Sequence, residues 1–227
     1  FSGVTGVQTC ALPISLLCRY VASLPAKNSV NSQRTAALPA VRKVDETLIY
    51  RRRQDTPYAS VSIFYDFELP YEPKSDVMLK TFKLILQMMY TDTIREESGG
   101  AYHVSVNTEL DGLKMPNALL KIAFRTDPQR YEELIPLVYE QLLRLAEHGP
   151  TQELLQKSKE FLLKAHRQQA QSNHYWLHIL YNMVYRGADF DTDYEKITEA
   201  VSAHDVQQLC AEIIAQKRRI EVTMLPL

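Results

Sequence analysis

The sequence predicts an α+β fold, a mainly antiparallel sheet with helices packed on one face. Three observations carry the prediction. Strand-period and helix-period segments come in blocks rather than in strict alternation, which favours an antiparallel sheet over a doubly wound one. Ala59, Val61, Ile63, Tyr65 and Phe67 alternate with Ser60, Ser62, Phe64 and Asp66, the pattern of a half-buried strand. The stretch from Asp76 to about Glu97 is apolar around most of its circumference (Val77, Phe82, Ile85, Leu86, Met88, Met89), as a buried helix must be.

The elements follow in chain order. Leu16–Leu24 is a short helix stopped by Pro25, and Ala26–Val41, rich in Ala, Ser, Asn and Gln, is a linker. Thr47–Arg53 is a modest strand, and its Arg51-Arg52-Arg53 run marks a solvated edge that discourages pairing. The long helix opens with Ser75 as its cap. Strands at Ala101–Leu110 and Ala118–Arg125 flank an Asp111-Gly112 turn. A helix over Pro128–Glu147 carries Leu134, Val138, Leu142 and Leu145 at helical spacing and is broken by Gly149-Pro150. Helices over Thr151–Ala170 and Tyr175–Arg186 come next. Thr192 with Glu195 and Ser202 with Asp205 read as capping boxes opening two short helices. Ile220, Val222 and Met224 close the chain as a strand.

Composition narrows the function. With 45% hydrophobic and 23% charged residues in 227, the chain is an ordinary globular protein, one large domain or two small ones. A net charge of -1 argues against binding nucleic acid or an anionic membrane, and no apolar run reaches spanning length. Cys10, Cys18 and Cys210 are too few and too scattered for a disulfide framework or a structural zinc site. Residues 1–15 read as non-native: Val4 to Ser15 resembles the translation of a sequencing-adapter oligonucleotide, which implies a fragment whose upstream part is missing. The organisation expected is therefore 16–43 as N-terminal helix and linker and 44–227 as the functional domain.

The most informative segment is Ile94-Arg-Glu-Glu-Ser-Gly-Gly-Ala-Tyr102. Gly99 and Gly100 stop the helix and permit a sharp turn, which can bring the Arg95 guanidinium near the Tyr102 phenol. Both groups donate hydrogen bonds and could address one carbonyl oxygen. The alternative is structural: Arg95 pairs with a neighbouring carboxylate and Tyr102 packs.

That segment resembles the substrate-binding motif of the insulinase/pitrilysin family of zinc metallopeptidases, in the C-terminal half that lacks the metal. The resemblance runs from about Leu17 to Leu227 and includes Leu17 to Pro25, Gly149-Pro150-Thr151 and Tyr175-Trp176-Leu177, which are similar to the large bacterial members. It implies one half of a peptidase clamshell with a metallohydrolase-like fold. Tyr102 would help hold the oxyanion against zinc, Arg95 would anchor the neighbouring carbonyl, and Gly99 and Gly100 would shape the turn. The implied partners are a peptide substrate and the zinc-bearing half of the same protein, and a periplasmic or envelope location follows by analogy.

The chain does not carry the family's inverted zinc motif, His-x-x-Glu-His. Glu147-His148 is its sole Glu-His pair, and Arg144 stands where the first histidine belongs. No cofactor is expected in this chain, and it should not hydrolyse peptides alone. His174 and His178, one helical turn apart, lack an evident third ligand. Ser98-Gly99 is not a nucleophile elbow, and adjacent Glu96 and Glu97 diverge on a helix. The competing reading is a non-catalytic scaffold or partner-binding subunit of the same fold.

Overall fold

The computed structural model describes residues 15–16, 19–20, 44–52, 57–98, 104–111 and 117–227, with the backbone alone over 94–98. The chain divides into two units, Phe1–Ala40 and Val41–Leu227. In the first, Ser15, Leu16, Arg19 and Tyr20 are helical, in keeping with a helix near Leu16–Leu24.

The second unit is a five-stranded sheet with helices on one face. Its elements are β1 (Asp45–Arg52), β2 (Ala59–Glu68), α1 (Pro73–Ser98), β3 (Val104–Asp111), β4 (Asn117–Thr126), α2 (Tyr131–His148), α3 (Gln152–Gln169), α4 (Asn173–Arg186), α5 (Tyr194–Ala200), α6 (Ala203–Ala215) and β5 (Arg219–Pro226). The strands lie in the order β1-β5-β2-β4-β3. Three ladders are antiparallel; β1 joins β5 in parallel. The edge strand β1 ends on exposed Arg51 and Arg52, charges that blunt an open ladder.

Strand pairing sets the inner face. Ile63 lies opposite Ile122 and Val61 opposite Phe124, and these side chains, with Val104 and Val106 of β3, are buried. Across them pack Phe82, Ile85 and Leu86 of α1 and Leu134, Val138 and Leu142 of α2, in one continuous core. Several side chains of this size, each worth about 1.5–3 kcal/mol on burial, hold the helices to the sheet.

Three local expectations are corrected. Ser75 does not cap α1; the helix starts at Pro73, where a proline lacks only an amide the first turn leaves unbonded anyway, and Ser75 is buried inside it. The Thr192–Glu195 box does not form. Asp193 stands at the N-cap of α5 without a side-chain bond, and Asp189 instead accepts from the Thr192 hydroxyl and from the amides of Asp191 and Thr192. The Ser202–Asp205 box is present in both directions. Finally, α2 begins at Tyr131, after a turn over 128–130.

β5 departs from its apolar pattern. Glu221, Thr223 and Leu225 face inward and are buried, while Ile220, Val222 and Met224 point to the other face. The inward Glu221 is satisfied by Tyr139 of α2, whose hydroxyl donates to Oε2 at 2.5 Å, and by Arg219 at 3.3 Å. Arg219 also reaches Asp45 of β1 at 2.8 Å, so one guanidinium links β1, β5 and α2.

Candidate functional site

The sequence motif straddles the junction of α1 and β3, and Gln87 fixes that junction. Its amide nitrogen donates to the Val104 carbonyl at 2.6 Å, and its amide oxygen accepts from the Val106 N–H at 2.9 Å. β3 is the outer strand of the sheet, so these backbone groups have no strand neighbour on that side. The Gln87 side chain thus satisfies the edge for one residue pair and locks the helix two turns before Arg95 to the first residues of β3. Tyr90, fully buried, ties the helix to α2 through its hydroxyl on the Val138 carbonyl at 3.2 Å. Burial drives its phenol well above the usual tyrosine range, so it stays a neutral donor.

Arg95 lies in the last turn of α1, and Val104 opens β3. The Arg95 side chain, Gly99, Gly100 and Tyr102 lie outside the described residues. The structure therefore places the two elements that carry the motif side by side and fixes them to each other through Gln87.

A second polar cluster, unmarked in the sequence, sits toward the other end of α1. Asp191 Oδ1 accepts from Tyr175 at 2.5 Å and contacts His166 Nε2 at 2.9 Å. The His166 ring stacks on Tyr194 at 4.3 Å between centroids. Burial, then the bond to Asp191, push the Tyr175 phenol well above its ordinary range, so it donates rather than ionises. His166, Tyr175 and Tyr194 border a cleft of about 350 Å³ that Tyr71, Asp76, Lys80 and Arg186 also line. Four separate elements supply the group, and no local spacing could have announced it.

His178 does not form a metal pair with His174. Its Nε2 lies 3.0 Å from the Asn182 amide nitrogen, and His174 is exposed. No group of three or more His, Cys, Asp or Glu among the described residues could hold a metal ion.

The chain matches the family model described as the peptidase M16 inactive domain over residues 14–162, and it belongs to that family. It is 32% identical over 144 residues to the Probable zinc protease PqqL of Escherichia coli strain K12, covering 62% of this chain and 15% of that protein. The solved periplasmic protease PqqL from Escherichia coli has the same fold, with a TM-score of 0.67 at 18% identity, over 81% of this chain and 21% of that one. The first half of that protease matches at a TM-score of 0.63 and 12% identity, over 94% of this chain and 48% of that chain. The chain therefore spans a minor part of the relatives it resembles. The zinc that such proteins are named for does not fit the residues described here: His166 and His178 are engaged with Asp191 and Asn182, and no third donor converges on either.

Proposed function

We propose that this chain is the substrate-clamping, metal-free domain of a zinc metalloendopeptidase, acting on peptides together with a zinc-bearing half supplied by the rest of a longer polypeptide. The observation that carries the reading is the Arg95–Tyr102 motif at a helix–strand junction that Gln87 holds rigid. In this reading Arg95 donates to a substrate backbone carbonyl and Tyr102 donates to the oxygen of the carbonyl under attack. Gly99 and Gly100 let the chain turn between them. Tyr102 shares the sequence parity of Val104 and Val106, whose side chains lie on the helix side of the sheet. The hydrolytic water and its base belong to the other half, so this domain contributes binding and charge stabilisation. Kinship with the periplasmic protease supports a periplasmic or envelope location.

The test joins this domain to its zinc-bearing half and compares Tyr102→Phe with the parent enzyme. Removing one such donor lowers kcat by on the order of 10²–10³-fold with a smaller change in KM. Unchanged turnover would return the domain to the scaffold reading.

A further inference from the structure

Helix α4 turns most of its large apolar side chains outward. At about 100° per residue, the side chains from Met183 through Trp176, Leu180, Val184, Leu177 and Tyr181 to Tyr185 sweep about 200° of its circumference. All of them are exposed, Leu177 to 67%, Val184 to 74% and Tyr185 to 76%. The face turned into the domain is mixed, with Ile179 buried beside polar groups. Asn182 is 1% exposed and bonds Tyr71 at 2.7 Å, while Tyr175 bonds Asp191 and Arg186 stacks on Tyr71. A surface helix ordinarily shows the reverse pattern.

Side chains of this size leave on the order of 800 Å² of mostly apolar surface, above the ~300–600 Å² of the largest patch on an ordinary monomer. That area falls within the ~600–1,500 Å² of interfaces between domains of one chain. The patch is also a convex ridge about 20 Å long, which calls for the concave surface of a folded partner rather than an extended peptide. Its aromatic content, Trp176, Tyr181 and Tyr185, is that of an interface hot spot. α4 carries no Asp or Glu.

The relatives supply room for such a partner. The matching fold occupies 21% of one solved protease chain and 48% of its first half, so at least one more domain of similar size adjoins it there. We infer that the outer face of α4 is the docking surface for another domain of the same polypeptide, one that presents an apolar groove to it. This rests on the proposed longer polypeptide but not on any role of Arg95 or Tyr102.

Hydroxyl-radical footprinting of the intact polypeptide, from the recovered full-length gene, tests it. Labelling of Leu177, Val184 and Tyr185, normalised to intrinsic reactivity, is compared with Phe161 of α3 in the same molecule. Phe161 is 59% exposed and serves as the open reference. The expected result is several-fold slower labelling on α4 at every protein concentration and without added peptide. Val184→Glu should restore labelling at Leu177 and Tyr185 while circular dichroism stays unchanged. Labelling equal to Phe161 overturns the inference. So does protection that grows with protein concentration, which would assign the face to a second copy, or protection that needs added peptide, which would assign it to substrate. Loss of activity in Arg95 or Tyr102 variants leaves this footprint unchanged.

Discussion

Gln87 and Val104 stand 17 residues apart, and the glutamine amide donates to the valine carbonyl at 2.6 Å while accepting from Val106 at 2.9 Å. A single side chain therefore does for the first residue pair of the β3 edge what a sixth strand would do there. Gln87→Leu leaves both backbone groups without a protein partner. It should lower stability by about 1–2 kcal/mol and speed hydrogen exchange at the Val106 amide well beyond that at central β2. Exchange at Val106 equal to the parent's would show that the edge does not depend on Gln87.

If Arg95 and Tyr102 address one substrate, their effects are coupled. In the assembled peptidase the double variant Arg95→Ala/Tyr102→Phe should cost less in kcat/KM than the two single changes combined, by at least about 0.5 kcal/mol of coupling. Strict additivity would separate their roles.

The buried Glu221 depends on its donors. Tyr139→Phe removes one of them and should lower the unfolding free energy by about 1.5–3 kcal/mol, the cost of a lost bond to a charged group. Urea unfolding reads this as a lower midpoint at constant slope.

Cys210 is buried, its thiol is pushed up to about 12 by burial, and its Sγ lies 3.3 Å from the Leu142 carbonyl. At pH 8 the thiolate is scarce and shielded, so alkylation at Cys210 should be negligible in the native protein and rapid in denaturant. Peptide-resolved mass spectrometry keeps Cys210 apart from Cys10 and Cys18.

Asp205 closes the capping box of α6. Hydrogen bonds from the Ser202 side chain and then its backbone hold its carboxyl below the usual Asp range. A depressed native value means the folded state binds the proton less readily than the unfolded chain. The contribution is thus present above the unfolded pKa of about 3.9 and fades as pH falls through the native value. The stability gap between the parent and Asp205→Asn should be full at pH 6 and shrink below about pH 4. A gap independent of pH would show that the charge on Asp205 contributes nothing to it.

Strict local patterns were legible in advance. The alternation along β2 and the spacing of Leu134, Val138, Leu142 and Leu145 in α2 reflect burial on one side, which leaves a period in the sequence. β5 misleads because Glu221 and Thr223 take the inward positions; Tyr139 of α2, 82 residues away, satisfies the carboxylate, while the Thr223 hydroxyl goes without a hydrogen-bond partner among the described residues. The Asp191–His166–Tyr175 group draws on α3, α4 and the segment after it, so its geometry exists only after packing. α4 conceals its orientation for a related reason: period alone tells which residues share a face, not which face turns inward. The Arg95–Tyr102 motif is local in sequence, and it was read from order and residue type rather than from contacts.

The place of β5 has a consequence for how the protein is made. β5, the last of the described strands in chain order, lies between β1 and β2, and Asp45 meets Arg219 across 174 residues. Until residue 226 emerges, β1 has nothing to pair with and β2 presents a bare flank. Closing so long a loop is slow, and the waiting chain is prone to stick to its neighbours. A nascent domain that stalls or is clipped before residue 219 would thus lose two strands at once, so the segment 219–226 decides whether the five-stranded sheet is completed.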